Sequence, residues 1–442
     1  MMLGLKQRRG RAGRVREGTC YKLISKATYS RLKDHGEPEI RRSALDQTLL
    51  SILFLGMECR PEGGFMNSLL DPPDQSSIEA AAFSLQSLGA INTNGAGAYE
   101  LTPLGVHLAG IPAPPVVGKI LILGSILGCR DAALAMAAGM SATRSPFLRI
   151  DVRRKPFRKG STEEPDSMEE TKQKRILDER KSLFQTVGNS DHALLAAVYM
   201  NWESCGQGLP RKQFCDSMGL HSHGMRDIMQ LARQLDSALQ NIGYRQTPDS
   251  NRNGKSWRII RAVAVAGMAP GQLVKVVRPA AAYLETAEGA KEKDGEARQL
   301  EFFVRTGTAE APKDGLRANE ERVFIHPSSA NFSIGTYSCP WLVFFSLVRT
   351  SEPFLRDVTE CNSYALLLFG GSLEVQASKD IVVIDGWCQL GAHARIGSLM
   401  GGLRKRLDEL LTEKISNPTL DIASSKEMSI ITKLIVTDGL GA

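Results

Sequence analysis

The spacing of hydrophobic positions changes character along the chain. In residues 31–110, Leu45, Leu49, Ile52, Leu53 and Leu55 recur at helical spacing, the rhythm of a helix with one buried face. Asp71-Pro72-Pro73 stops a helix, and Asp74 or Ser76 can cap the next, predicted over Ile78–Leu88. Gly89-Ala90-Ile91, Asn94-Gly95 and Tyr99-Glu100-Leu101 predict a short hairpin. Residues 111–250 read as all-helical. Pro112, Pro114 and Pro115 precede a helix over Lys119–Gly128, and Asp131–Met140 is alanine-rich. Ser190-Asp191-His192 caps a helix running to Trp202, and Phe214–Tyr244 is a helical pair with Leu231, Leu235 and Leu239 four apart. In residues 251–390 the period shortens to two. Strands are predicted at Val263–Ala266, Gln272–Val277, Phe302–Arg305, Val323–His326, Leu342–Val348 and Ala365–Phe369. Short strands separated by Gly and Pro predict a small barrel. In residues 391–442 a helix over Ala394–Ile415 sets Leu399, Leu403, Leu407, Leu410 and Leu411 on one face, with Arg404, Lys405 and Arg406 opposite.

Composition narrows the class. The 442 residues are 42% hydrophobic and 23% charged, ordinary for globular domains, and the length suits about two to four of them. The net charge is +7, and Lys6, Arg8, Arg9, Arg11, Arg14, Arg16 and Lys22 face only Glu17 at the start. That excess favours an anionic partner, nucleotide or nucleic acid. The 8 cysteines form no CxxC pair, so the reading is of reduced, buried thiols in an intracellular protein, cytoplasmic or nuclear. His221 and His223 lack a second ligand pair, and no metal site is expected. The longest apolar stretch, Ile120–Leu127, is broken by Gly124 and Ser125, short of the roughly 18 residues a membrane span needs. No signal-peptide core follows Met1. His192 beside Asp191 reads as a cap or a buried hydrogen bond rather than a catalytic residue.

Gln7-Arg8-Arg9-Gly10-Arg11-Ala12-Gly13-Arg14 packs four arginines and two glycines into eight residues. Glycine lets backbone N–H groups approach a ligand, and guanidinium forks match phosphate oxygens. The plain alternative is a basic RNA-binding tail. The order of residues, however, resembles motif VI of superfamily 2 helicases, in the form used by the DEAH/RHA (DExH-box) group of ATP-dependent RNA helicases, RNA helicase A-like branch. Further resemblances follow in order: Gly18-Thr19-Cys20-Tyr21-Lys22-Leu23 to the strand after motif VI, Pro38-Glu39-Ile40-Arg41-Arg42 to the entry of a winged-helix domain, Leu101-Thr102-Pro103-Leu104-Gly105 to an LTxLG turn, and Asp357-Val358-Thr359-Glu360 and Leu366-Leu367-Leu368-Phe369-Gly370-Gly371 to a C-terminal OB-fold.

The resemblance implies a multidomain α+β chain: a RecA-like remnant with motif VI at 1–30, a winged helix at 31–110, a helical ratchet (helicase-associated) domain at 111–250, an OB-fold barrel at 251–390, and a C-terminal helix and tail at 391–442. Thr19–Ile24 would be a strand of the RecA-like sheet. The chain would start inside that domain and so be truncated. Gln7, Arg11 and Arg14 would reach the γ-phosphate of ATP, with Arg11 and Arg14 catalytic, in a 3′→5′ RNA helicase using ATP and Mg²⁺. The partner would be single-stranded or structured RNA, with DNA as a second substrate. Around the barrel, Trp257, Arg258, Tyr283, Phe303, Arg305, Trp341 and Arg349 alternate aromatic and basic character, the composition of a stacking surface, although core packing is the more frequent role of any one aromatic. RNA contacts are expected at Arg258, Arg305, Arg349, Thr350 and Ser351. Arg149–Lys181 reads as a solvated loop entering a helix, and Glu285–Gln299 as a polar insertion. The tail beyond Pro418 carries no assigned role.

Two decoys are set aside. Gly254-Lys255-Ser256 lacks the earlier glycine of a phosphate loop, with Asp249 in its place. Asp178-Glu179-Arg180-Lys181 lacks the apolar strand of a DExH box. Without a nucleotide cradle the chain should be inactive alone. The alternative reading is a non-catalytic nucleic-acid-binding module or regulatory fragment.

Overall fold

The computed structural model describes residues 2–33, 36–61, 63–95, 97–148, 150, 167–278, 283–286, 289–292, 300–305 and 319–440. It divides into two compact units, Met1–Phe83 with Thr93–Tyr99, and Ser84–Asn92 with Glu100–Ala442.

The first unit holds helices α1 (Met2–Arg9), α2 (Lys26–Ser30) and α3 (Asp46–Phe54) and most of α4 (Gln75–Leu88). Its core gathers Leu45, Leu49, Leu50, Met66 and Ile78, all nearly inaccessible. The hairpin of β1 (Ile91–Thr93) and β2 (Tyr99–Leu101) follows α4. The strand expected at Thr19–Ile24 is not formed: the backbone there is irregular, and Tyr21 and Leu23 are exposed. A strand needs a partner for its backbone groups, and no strand of this unit pairs with that segment among the described residues.

The first whole helix of the second unit is α5 (Pro103–Ala109), where Thr102 Oγ1 accepts from Gly105 N at 3.1 Å. A helical layer follows: α6 (Pro115–Ile126), α7 (Arg130–Ser141), α8 (Ser167–Val187), α9 (Asp191–Ser204), α10 (Leu209–Met218) and α11 (Ser222–Asn241). Helix α12 (Trp257–Met268) runs through its centre. Close approach is set by small residues: a Cβ on Gly124 would sit 2.2 Å from Ala133 Cβ, and one on Gly267 2.2 Å from Ile120 Cγ1. Arg130 is buried but satisfied, with Nε and Nη2 on Asp236 Oδ1 at 2.9 and 2.6 Å and Nη1 on the Tyr244 carbonyl at 2.8 Å.

The barrel comprises β3 (Leu273–Val277), β6 (Glu301–Arg305), β7 (Glu320–Ile325), β8 (Trp341–Arg349) and β9 (Pro353–Glu360), closed in the order β3-β6-β7-β9-β8. Between β3 and β6 lies a separate hairpin, β4 (Tyr283–Thr286) with β5 (Gly289–Glu292). All barrel pairs are antiparallel except β7 with β9, which pairs Phe324 with Phe354 and Ile325 with Leu355. Val274, Phe302, Val304, Val323, Ile325, Leu342 and Leu355 fill the interior. Beyond it come α13 (Ser363–Phe369), a three-stranded sheet of β10 (Leu373–Gln376), β11 (Ile381–Ile384) and β12 (Cys388–Gly391), then α14 (Ala394–Ser416) and α15 (Lys426–Thr437).

Several sequence expectations are corrected here. Val263–Ala266 is not a strand but part of α12, in which Ile259, Ile260 and every residue from Ala262 to Met268 is buried. Burial on all sides erases the polar face that marks a helix. Ala365–Phe369 is helix α13, started by Asn362, whose Oδ1 accepts from Tyr364 N at 2.8 Å and Ala365 N at 3.1 Å. The barrel therefore begins at Leu273 and has five strands, with β9 as the strand the apolar pattern did not reveal. On α14 the buried residues are Gly397, Met400, Leu407 and Ile415, while Leu399 is exposed and Arg404 turns inward to donate to the Leu367 carbonyl at 3.4 Å. Part of the polar insertion is the β4–β5 hairpin; its residues 287–288 and 293–299, residues 149 and 151–166 of the charged run, and the side chain of Tyr283 lie outside the described residues.

Candidate nucleic-acid interface

The octet lies in the first unit. Gln7, Arg8 and Arg9 end α1, and a turn follows in which Gly10 N donates to the Lys6 carbonyl at 2.9 Å and Arg11 N to the Arg8 carbonyl at 3.1 Å. Gly13 has φ +76°, which glycine adopts without strain. Arg14 Nε donates to the Gly10 carbonyl at 3.1 Å, which points that side chain back over the turn. Gln7, Arg11 and Arg14 are all exposed. This donor set suits polyphosphate oxygens. Among the described residues no group of three or more His, Cys, Asp or Glu could hold a metal ion, His221 and His223 included.

Alternation along the barrel strands sorts outward residues onto two faces. On the first, Lys275 registers with both Phe303 and Trp341. This face is covered by the loop and strand around Trp387. Trp341 and Trp387 meet edge to face at 5.0 Å, Trp341 Nε1 donates to the Gln389 carbonyl at 3.3 Å, and Trp387 Nε1 donates to Glu320 Oε1 at 2.9 Å. Lys275 Nζ reaches the same carboxylate oxygen at 3.1 Å. Phe303 and Trp341 are only 7% and 3% exposed, so both are packed junction residues.

On the second face, Arg322, Phe324 and His326 alternate along β7 and just past its end, and Phe354 and Arg356 stand beside them on β9. Phe324 and Phe354 lie 6.2 Å apart, His326 meets Phe354 edge-on at 5.8 Å, and the Arg322 guanidinium sits over Phe324 at 5.5 Å. All five side chains reach solvent. Arg356 Nη2 lies 3.5 Å from His326 Nε2, and Arg356 Nε has no hydrogen-bond partner among the described residues. The sequence signal for this face was Phe324 and His326 alternating with interior Val323 and Ile325.

The residues expected to contact RNA do not form one cluster. Arg258 is on α12, outside the barrel, with Nη1 on the Val436 carbonyl of α15 at 2.6 Å. Arg305 Nη1 donates to the Asp385 carbonyl at 2.9 Å, on the covered side. Arg349 grips Glu321 with both Nη atoms, Nη2 to Oε2 at 2.8 Å, and that pairing strengthens its hold on its proton. Thr350 and Ser351 are exposed at the tip between β8 and β9.

Strand β9 is also fixed to the helical layer. Asp191 accepts from Ser329 Oγ at 2.5 Å, Ala330 N at 2.9 Å and Val358 N at 2.8 Å. Ser190, the cap of α9, and His192 Nδ1 both meet Thr359 Oγ1, at 2.7 and 2.8 Å. Burial lowers the His192 pKa to about 4, which fits the structural role expected for it.

Three family models match in chain order: the ratchet-like helicase-associated domain (HA2) over residues 114–195, an oligonucleotide/oligosaccharide-binding (OB) fold over 260–373, and the C-terminal domain in RNA helicases over 380–437. The last match extends over the tail beyond Pro418. The mouse ATP-dependent DNA/RNA helicase DHX36 is 31% identical over 445 residues, covering 97% of this chain and 39% of that protein. The DExH-box ATP-dependent RNA helicase DExH1 of Arabidopsis thaliana is 32% identical, covering 94% and 36%. The mouse ATP-dependent RNA helicase DHX29 is 30% identical, covering 98% and 28%. The chain is homologous along nearly its whole length to DExH-box RNA helicases, and it spans well under half the length of these relatives. No helix among the described residues is long and apolar enough to cross a membrane.

Proposed function

We propose that this chain is the C-terminal part of an ATP-dependent 3′→5′ RNA helicase. Residues 1–30 belong to its second RecA-like domain, 31–110 to a winged helix, 111–250 to the ratchet domain, 251–390 to the OB-fold and 391–442 to the C-terminal element. The observation that carries the reading is the ordered match of helicase-associated, OB and C-terminal domains. In the complete protein Gln7, Arg11 and Arg14 face the γ-phosphate of Mg²⁺–ATP. ATP there supplies the energy of strand separation, and the two guanidinium groups stabilise charge as the phosphoryl bond breaks. The barrel tip, Arg349 with Thr350 and Ser351, touches the RNA backbone. Arg258 and Arg305, each donating to a carbonyl of its own chain, are weaker candidates.

The test is ATPase and unwinding activity of the full-length protein on duplexes with 3′ or 5′ tails. Arg14→Ala is expected to lower ATP turnover by about 10² or more, since an arginine finger contributes on the order of 10³–10⁵. Arg14→Lys should not rescue, because a point charge cannot replace the fork. RNA affinity without nucleotide should stay the same. Intact turnover with weakened RNA binding would make the octet a basic RNA-binding patch. The isolated chain should not hydrolyse ATP. The open aromatic face also suits a non-catalytic nucleic-acid-binding module, which a full-length protein without ATPase activity would favour.

A further inference from the structure

We infer that the β7/β9 face is a base-stacking platform for single-stranded RNA, with Phe324 and Phe354 as the stacking rings and Arg356 as a phosphate contact. The inference rests on the nucleic-acid reading and assigns it to one patch of the barrel. Two phenylalanines in register on adjacent parallel strands, both reaching solvent, form an aromatic surface that the described residues leave open. The opposite outward face is closed by Trp387, so an apolar role in internal packing is already filled there.

Charge selects the occupant. Arg322, Arg356 and His326 flank the rings; Glu301 holds Arg322 at 3.1 Å with both side chains about half exposed, and Asp357 stands beside Arg356. Exposed pairs of this kind are weak and exchange partners readily. Arg356 Nε has no hydrogen-bond partner among the described residues and is itself shielded from solvent, whereas polar groups of this kind are ordinarily satisfied. A phosphate oxygen would meet the guanidinium through the part of this half-buried side chain that reaches solvent. Rings for bases and guanidinium groups for phosphates are the two elements of single-strand recognition.

The experiment titrates the chain with fluorescently labelled oligoadenylate, and with the same strand carrying 2-aminopurine to report stacking. Phe324→Ala and Phe354→Ala should each weaken binding by about tenfold. Phe354→Leu keeps an apolar side chain without the π-face; it should lose nearly as much affinity and the 2-aminopurine quenching. Phe354→Tyr should restore both. Thermal unfolding verifies that the variants are folded, and the Leu and Tyr pair carries the test if an alanine variant is not. Equal binding by wild type, Leu and Tyr variants would overturn the platform while leaving nucleic-acid binding in place elsewhere. No binding by the wild-type chain would remove the nucleic-acid reading itself. Loss of a protein partner with RNA affinity unchanged would make the face a protein-docking surface and overturn the proposal.

Discussion

The two outward faces of the barrel carry the same residue types and have opposite fates. Around β3, β6 and β8, Lys275, Phe303 and Trp341 are closed over by the segment around Trp387 and Gln389, and Arg305, itself exposed, donates to the Asp385 carbonyl. Around β7 and β9, Arg322, Phe324, His326, Phe354 and Arg356 remain accessible. Alternating aromatic and basic residues therefore do not identify a nucleic-acid surface by themselves. They mark an outward face of sufficient apolar content, and the segment that follows in the fold determines whether solvent, ligand or protein meets it.

The largest expected effect tests the covered face. Trp341→Ala removes an almost inaccessible indole that touches Trp387 and bonds the Gln389 carbonyl. Truncations of this size in packed sites cost about 3–5 kcal/mol. Urea unfolding should show a loss in that range, with RNA affinity of the remaining folded protein unchanged. Phe354→Ala should cost clearly less than Trp341→Ala, because its ring is only partly buried. Equal losses would erase the distinction between the faces.

Acid should act on the anchored end of β9. His192 is 1% exposed, its pKa is lowered to about 4 by burial, and its Nε2 has no partner among the described residues. Protonation would place an N–H where no acceptor stands. With the folded pKa below the unfolded value, the unfolded chain binds more protons between about 6.5 and 4. This contribution is complete above about pH 6.5 and is lost as pH falls toward 4, by roughly 2–3 kcal/mol. His192→Gln should lessen the fall in unfolding free energy between neutral and mildly acid pH. An unchanged acid profile would mean that His192 is not kept neutral by the junction.

What could be read from sequence follows the same physics. Strands β3, β6, β7 and β8 were visible because an interior face alternates with an outward one. Strand β9 was hidden because it starts on Pro353 and because Asp357, at φ +54°, breaks the alternation, leaving interior Leu355 and Val358 three residues apart. Helices α12 and α13 passed for strands because burial on every side removes helical period. The octet was legible as chemistry, through the order of its arginines and glycines. The closing of the first face was not, because Trp341 and Trp387 are joined only by the tertiary fold.

The smallest expected effect concerns the barrel tip, where a predicted RNA contact is already occupied. Arg349 is 63% exposed and Glu321 is 26% exposed, and the carboxylate takes both Nη atoms. A pair this open contributes about 0–1 kcal/mol to stability, so Arg349→Ala should scarcely move the unfolding midpoint. For RNA the exchange matters more: phosphate must displace Glu321 before Arg349 can bind it. Glu321→Gln removes the competing charge and leaves the guanidinium in place. It should tighten RNA binding by about two- to threefold, a fraction of a kcal/mol as expected for an exposed charge. Arg349→Ala should weaken binding and reduce the slope of log affinity against log salt by about one. The two effects have opposite signs only if Arg349 reaches phosphate. If Glu321→Gln and Arg349→Ala both leave affinity and salt slope unchanged, the pair merely holds β7 to β8, and RNA contact on this barrel lies with the aromatic face alone.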